Sequence, residues 1–260
     1  MEPTKIGVFA DNLGLGVREG IRVAAEIGAD GIQIYTTRGE MLPERLGGAR
    51  RKELRAFIAE LGLTLSATCS DFGAGLVDEA RNAELIPRIR ANIDLAVDLG
   101  AEIITTHIGH VPENRSDPVW GVLARALNDI GGYAEERGVV LATETGPEPG
   151  ATLAALLGSL QTSAIRANFD PANFIIYGYD HRQAVDDLRA YIVHTHAKDA
   201  RGMRGAPGQE VALGEGDVDF PWYVGRLRSY GYRGFYTIER EAGEDPIGDV
   251  KKAIAFLRAL

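Results

Sequence analysis

The chain has 260 residues, 45% of them hydrophobic and 25% charged, which places it among ordinary globular proteins and apart from disordered or fibrous ones. Its 28 Lys and Arg against 37 Asp and Glu give a net charge of −9 without a sustained basic run, which disfavours nucleic acid or a membrane surface as partner and favours a small solute. A single cysteine, Cys69, excludes an internal disulfide and a Cys-based zinc site. No stretch reaches the ~18 uninterrupted apolar residues of a membrane span and the N-terminus carries no secretion signal, so a cytoplasmic setting is expected.

Short β-type runs alternate with runs of helical period along the whole chain. Strands are predicted at 5–10, 31–35, 63–68 and 102–107, each followed by a helix, at 17–27, 50–61, 79–99 and 118–137. The pattern continues with strands at 139–144, 165–170, 191–196 and 235–239 and helices at 152–157, 180–189, 220–230 and 246–260. Such units average about 32 residues, close to the ~250 residues usual for a closed (β/α)8 TIM barrel, so the predicted fold is α/β, one barrel domain over 1–260. A doubly wound open sheet is the alternative, but the turn at 11–16 lacks the full glycine fingerprint of a dinucleotide site. Glycines at 28, 62, 100, 138 and 231 stand where a left-handed residue ends a helix before the next strand. The irregular stretch 200–219 follows the seventh strand and, in a barrel, lies at the catalytic face, where it could form a lid.

Barrel chemistry sits at the C-terminal ends of strands. Four successive predicted strands end on ionisable groups: Glu144, Asp170, His196 and Glu239. Parallel neighbours lie roughly 4.8 Å apart, so these side chains can converge, and crowded carboxylates repel unless a cation joins them. Three oxygen donors and one imidazole suit manganese, cobalt, magnesium or zinc, with positions left for substrate oxygens. Asp170 precedes Pro171 and also reads as a helix N-cap.

These residues, with Glu144-Thr145-Gly146, 168–173, 194–200, 213–220 and 236–239, give a sequence that resembles the xylose-isomerase-like barrel superfamily in its sugar phosphate isomerase/epimerase branch. The resemblance implies that Glu144, Asp170, His196 and Glu239 hold one divalent ion, usually manganese, cobalt or magnesium. It also implies that Glu144 and Glu239 act as the acid/base pair on a small sugar-like substrate through a metal-stabilised enediolate. Homodimers or homotetramers are common among such proteins. Two positions depart from the ketose epimerases: Asn173 replaces a histidine, and Gly150 replaces a glutamate six residues beyond Glu144, with Glu148 nearby but unmatched. Asn173 can bind a hydroxyl but cannot carry a proton.

Further candidates lie beside these ends. The two-residue strand period puts His194, His196 and Lys198 on one side, so His194 is a substrate contact or a partner behind the ligand, and Lys198 a contact to a substrate oxygen. Arg201 and Arg204 are candidates for an anion clamp or solvated surface charge, and His107 for a contact to a sugar hydroxyl or a structural histidine. Trp120 and Phe72 could offer an apolar wall, whereas Cys69 reads as a small buried hydrophobe. An isomerase or epimerase is the first functional expectation. The alternatives are a dehydratase of the inosose or dehydroshikimate type, an abasic-site endonuclease, disfavoured by charge and by five histidines, and a non-catalytic sugar-binding protein.

Overall fold

The computed structural model of the chain describes residues 3–203 and 205–260. Its first half contains β1 (Ile6–Phe9), α1 (Val17–Glu26), β2 (Gly31–Tyr35), α2 (Gly48–Glu60), β3 (Thr64–Cys69), α3 (Glu79–Leu99), β4 (Ile103–Thr106) and α4 (Pro118–Arg137). The second half adds β5 (Val140–Glu144), α5 (Gly150–Leu157), β6 (Ile165–Phe169), α6 (Pro171–Tyr177), α7 (His181–Leu188), β7 (Ile192–Ala197), β8 (Asp199–Met203), β9 (Ala206–Val211), α8 (Phe220–Ser229), β10 (Tyr236–Ile238) and α9 (Pro246–Arg258). Eight parallel strands close into a barrel in the order β1-β10-β7-β6-β5-β4-β3-β2. This is the predicted (β/α)8 fold rather than the open sheet.

Local chemistry accounts for most boundaries. All five glycines expected to end helices have positive φ, from 69° at Gly138 to 97° at Gly28. Aspartates cap the starts of α3, α4, α6, α7, α8 and α9 through side-chain oxygens, at about 1 kcal/mol each. Two features differ from expectation. The crossover after β6 carries an extra short helix, α6, which begins at Pro171 directly behind the Asp170 cap. The stretch expected to be irregular pairs as the antiparallel hairpin β8–β9.

Apolar side chains fill the layer between strands and helices, but the barrel interior beneath its C-terminal mouth is polar: Gln33, Thr105, Asn168, His194, His196 and Thr237 are all buried. Gly7 makes room for part of this set, because a Cβ there would meet Thr237 Oγ1 at 2.6 Å.

The hairpin and its return loop are gathered on one buried carboxylate. Asp199 Oδ2 accepts the N–H groups of Gly214 and Gly216, each at 2.9 Å, while Oδ1 accepts those of Ala200 at 2.9 Å and Val218 at 3.2 Å. The glycine at 216 is required by proximity, since a Cβ would lie 2.2 Å from Asp199 Oδ1 and 2.5 Å from the Ala200 carbonyl oxygen. The segment 213–219 is therefore a fold element wrapped on Asp199. Asp199→Ala strands these donors and is expected to cost about 1–3 kcal/mol in urea unfolding and to open 200–217 to limited proteolysis. Unchanged stability and protection would contradict this role.

Candidate metal centre

Glu144 ends β5, Asp170 follows β6, His196 lies near the end of β7 and Glu239 follows β10, so four strands that are consecutive around the barrel each deliver one group to its C-terminal mouth. All four are buried, and one ligand atom from each lies within 4.8 Å of the others. His196 Nδ1 sits 3.3 Å from Glu239 Oε2, 3.6 Å from Glu144 Oε1 and 3.7 Å from Asp170 Oδ2. Asp170 serves two purposes at once. Its Oδ1 caps α6 by accepting from Ala172 N–H at 2.8 Å and from Asn173 N–H, whereas Oδ2 faces the cluster. Both readings of Asp170, cap and cluster member, describe the same side chain.

The donor set fits a divalent cation. Asp170 Oδ2 and His196 Nδ1 are fully buried polar atoms without a hydrogen-bond partner among the described residues, and both aim into the cluster. Unpaired buried groups of this kind are costly, and a hard dication surrounded by carboxylate oxygens and one imidazole nitrogen satisfies them together. The residues that could hold the ion are Glu144, Asp170, His196 and Glu239.

The two glutamates are held by different neighbours. Asn173 Nδ2 donates to Glu144 Oε1 at 3.1 Å and to the Thr145 carbonyl at 2.9 Å, and His107 Nε2 lies 3.6 Å from the same carboxylate oxygen. Burial pushes the Glu144 carboxyl up, but His107 and His196 outweigh it and leave it below the usual carboxylate range. Glu239 Oε2 accepts from Lys198 Nζ at 2.9 Å, and Lys198 is also bonded to Glu241. Burial likewise opposes ionisation of Glu239, and His196 with Lys198 overcomes it. In turn, burial disfavours the Lys198 ammonium while Glu239 and Asp170 hold its pKa above the ordinary lysine value. The carboxylate form is thus favoured at both glutamates, with His196 acting on each, His107 adding to it at Glu144 and Lys198 at Glu239.

Not every residue singled out from the sequence reaches the cavity. His194 was a candidate substrate contact, but it is 1% exposed and both ring nitrogens are engaged inside the barrel, with Asn168 Oδ1 at 2.8 Å and Thr237 Oγ1 at 3.0 Å. Burial and the neighbouring His196 lower its pKa, so it is a neutral ring in the layer beneath the cluster. Asn173 is turned toward Glu144 and the backbone, and Lys198 toward Glu239 and Glu241, so in this structure both support the carboxylates. Arg201 lies on β8 with its guanidinium bonded to the Glu215 carbonyl, which ties the hairpin to its return loop. Arg204 lies outside the described residues. Trp120 packs in the hydrophobic core with Arg115 over its ring, and Phe72 lies under Arg88.

Three residues near the centre escaped the sequence reading. Gln33 reaches His196 Nε2 at 3.1 Å, Glu241 shares Lys198 with Glu239, and Asp71 holds His107. Gln33 carried a usable signal: an amide in the middle of the apolar run Gly31–Tyr35. Asp71 and Glu241 lie two residues beyond Cys69 and Glu239, in loops whose aim no strand period sets.

His107 sits at the rim with half its side chain exposed, its Nδ1 3.2 Å from Asp71 Oδ2. The negative charge of Glu144 acts against burial, and with Asp71 it raises the His107 pKa to about 9. A raised folded-state value means that its contribution to stability is complete below the unfolded pKa of ~6.5 and fades as pH rises through about 9. In the metal-free protein the His107 ring proton, followed by NMR, should titrate near 9, and Asp71→Asn should lower that midpoint. A wild-type midpoint at or below the ordinary histidine value would refute the arrangement.

With the geometry established, comparison with known proteins gives a consistent result. A profile described as xylose isomerase-like TIM barrel matches residues 21–260. The 2-epi-5-epi-valiolone 7-phosphate 2-epimerase of an Actinoplanes species is 30% identical over 207 residues, 76% of this chain and 73% of that protein. The L-ribulose-5-phosphate 3-epimerase UlaE of Salmonella paratyphi A is 26% identical over 262 aligned residues, 93% of this chain and 88% of that protein. Among solved structures, a xylose isomerase domain protein from Planctomyces limnophilus superposes with a TM-score of 0.87 at 29% identity, covering 99% of this chain and 97% of that one. The fold, the placement of the four donors and the matched profile lead to one conclusion: the chain belongs to the xylose isomerase-like TIM barrel family.

Proposed function

We propose that the protein is a divalent-metal-dependent isomerase or epimerase of a small sugar-like carbonyl compound, with Glu144 and Glu239 as the acid/base pair. The observation that carries this reading is the placement of two buried glutamates at the ends of β5 and β10, strands separated in the barrel by β6 and β7, with His196 between them. Carboxylates that approach from different strands can reach opposite faces of one substrate carbon. The similarity to two sugar phosphate epimerases supports the same reaction class and suggests a phosphorylated substrate.

Glu144, Asp170, His196 and Glu239 would hold the ion. When bound, it supplies electrophilic stabilisation of negative charge on substrate oxygens, which lowers the cost of removing a proton from the adjoining carbon. The protein's own groups do the rest. One glutamate breaks the C–H bond by taking the proton, and the electron pair moves toward the neighbouring carbonyl. The other glutamate, having first taken up a proton from solvent, delivers it to the opposite face, which inverts the centre, and the first glutamate then releases its proton to solvent; delivery to the neighbouring carbon instead, with the hydroxyl proton passing between the two substrate oxygens, gives aldose–ketose isomerisation. Lys198 at Glu239 and His107 at Glu144 favour the ionised form from which either glutamate can take a proton, and Asn173 fixes the direction of Glu144. Manganese, cobalt and magnesium suit the oxygen-rich donor set best, and zinc is compatible with it.

Candidate ketoses and ketose phosphates incubated with the protein in deuterated buffer test this. Deuterium should enter the inverted or isomerised carbon without net loss of water, and chelation should abolish the exchange. Glu144→Gln and Glu239→Gln should each lower kcat by about 10²–10⁴-fold while the protein stays folded. Full turnover by either variant would overturn the acid/base assignment, and elimination of water from the substrate would favour a dehydratase.

A further inference from the structure

We propose that Gln33 is a positioning residue for the metal centre: its side-chain oxygen holds the remaining proton of His196 on Nε2 and so keeps Nδ1 as the nitrogen that ligates. This rests on reading the four-residue cluster as a metal site. Gln33 is fully buried on β2, and β1 and β10 separate that strand from β7, which carries His196, so the contact spans the barrel interior.

The direction of the bond follows from donor and acceptor bookkeeping. Thr105 Oγ1 donates to the Thr68 carbonyl at 3.4 Å and has lone pairs left for one donor. Gln33 Nε2 supplies that donor at 3.0 Å, which commits the amide nitrogen and turns Oε1 toward His196 Nε2 at 3.1 Å. Asn168 Nδ2 lies farther from the same ring nitrogen, at 3.3 Å; one of its N–H groups donates to Glu144 Oε2 at 3.4 Å while Oδ1 accepts from His194 Nδ1 at 2.8 Å, so the shorter contact from Gln33 Oε1 is the one that distinguishes the two tautomers. His194 Nε2 then accepts from Thr237 Oγ1 at 3.0 Å, the approach that Gly7 permits. The belt beneath the centre thus has a consistent set of donors and acceptors from β4 to β10.

For His196 to ligate, Nδ1 must shed its proton, since that nitrogen faces Glu144, Asp170 and Glu239. The proton that stays is on Nε2, where Gln33 Oε1 is the acceptor. If the Gln33 amide were reversed, an N–H would face Nε2 and favour the tautomer with the proton on Nδ1, among the carboxylates and in the ligand position. A polar partner that fixes the tautomer of a ligating histidine commonly contributes 10–100-fold to metal affinity.

The test uses the full chain loaded with Mg2+, which is diamagnetic, and ¹⁵N NMR of the imidazole groups. His196 should show a protonated Nε2 and an unprotonated Nδ1. Gln33→Leu should weaken Mn2+ binding, measured by equilibrium dialysis, by about 10–100-fold with an unchanged circular dichroism spectrum. Gln33→Glu, which keeps an acceptor oxygen, should bind within a few-fold of wild type. A proton on Nδ1 in the loaded wild-type protein, or wild-type affinity in Gln33→Leu, would overturn the inference. The wild-type spectrum decides the matter even if the leucine variant does not fold. Absence of Mn2+ binding by the wild type would instead overturn the metal-centre reading together with this inference.

Discussion

Three carboxylates, those of Glu144, Asp170 and Glu239, are buried at one end of a closed barrel with a single imidazole between them, and much of the structure follows from making that burial tolerable. A buried carboxylate is strongly unfavourable unless paired, so each has a specific supporter. Lys198 pairs with Glu239, Asn173 and His107 flank Glu144, and the start of α6 takes one oxygen of Asp170. The atoms left over, Asp170 Oδ2 and His196 Nδ1, point at one another across the cluster. A cation held there would complete the pairing that the protein groups leave open.

The closed barrel makes such a centre possible because its strands end together and side chains alternate along each strand. His194 and His196, two residues apart on β7, share the interior side but occupy different depths: one lies in the neutral belt with Asn168 and Thr237, the other among the carboxylates. The loop after β7 is equally constrained. Lys198 turns into the centre while Asp199, the next residue, gathers the backbone of 214–218. Electrostatic support and loop closure are thus encoded in adjacent positions.

The barrel was legible because its signals are local: β-type runs, helical periods and helix-ending glycines recur at a nearly constant interval. The four donors were legible because each falls at a strand end, where the architecture fixes its position in space. What the sequence did not reveal depends on contacts between distant residues. Strand period puts His194 on the side of His196, but only the depth of Asn168 and Thr237 determines that it stays below the cavity. Asn173 looked like a substrate contact by its place after Asp170, yet the turn of α6 directs it at Glu144. The hairpin β8–β9 was hidden because residues 199–211 are poor in the alternating apolar pattern that marks a strand.

The central claim is that the protein groups around Glu144, Asp170, His196 and Glu239 are completed by one dication. Anomalous scattering from a crystal grown with Mn2+ tests it most directly. The account predicts a single peak within bonding distance of all four side chains. Density from the ion elsewhere on the protein, with no peak among these four, would contradict it.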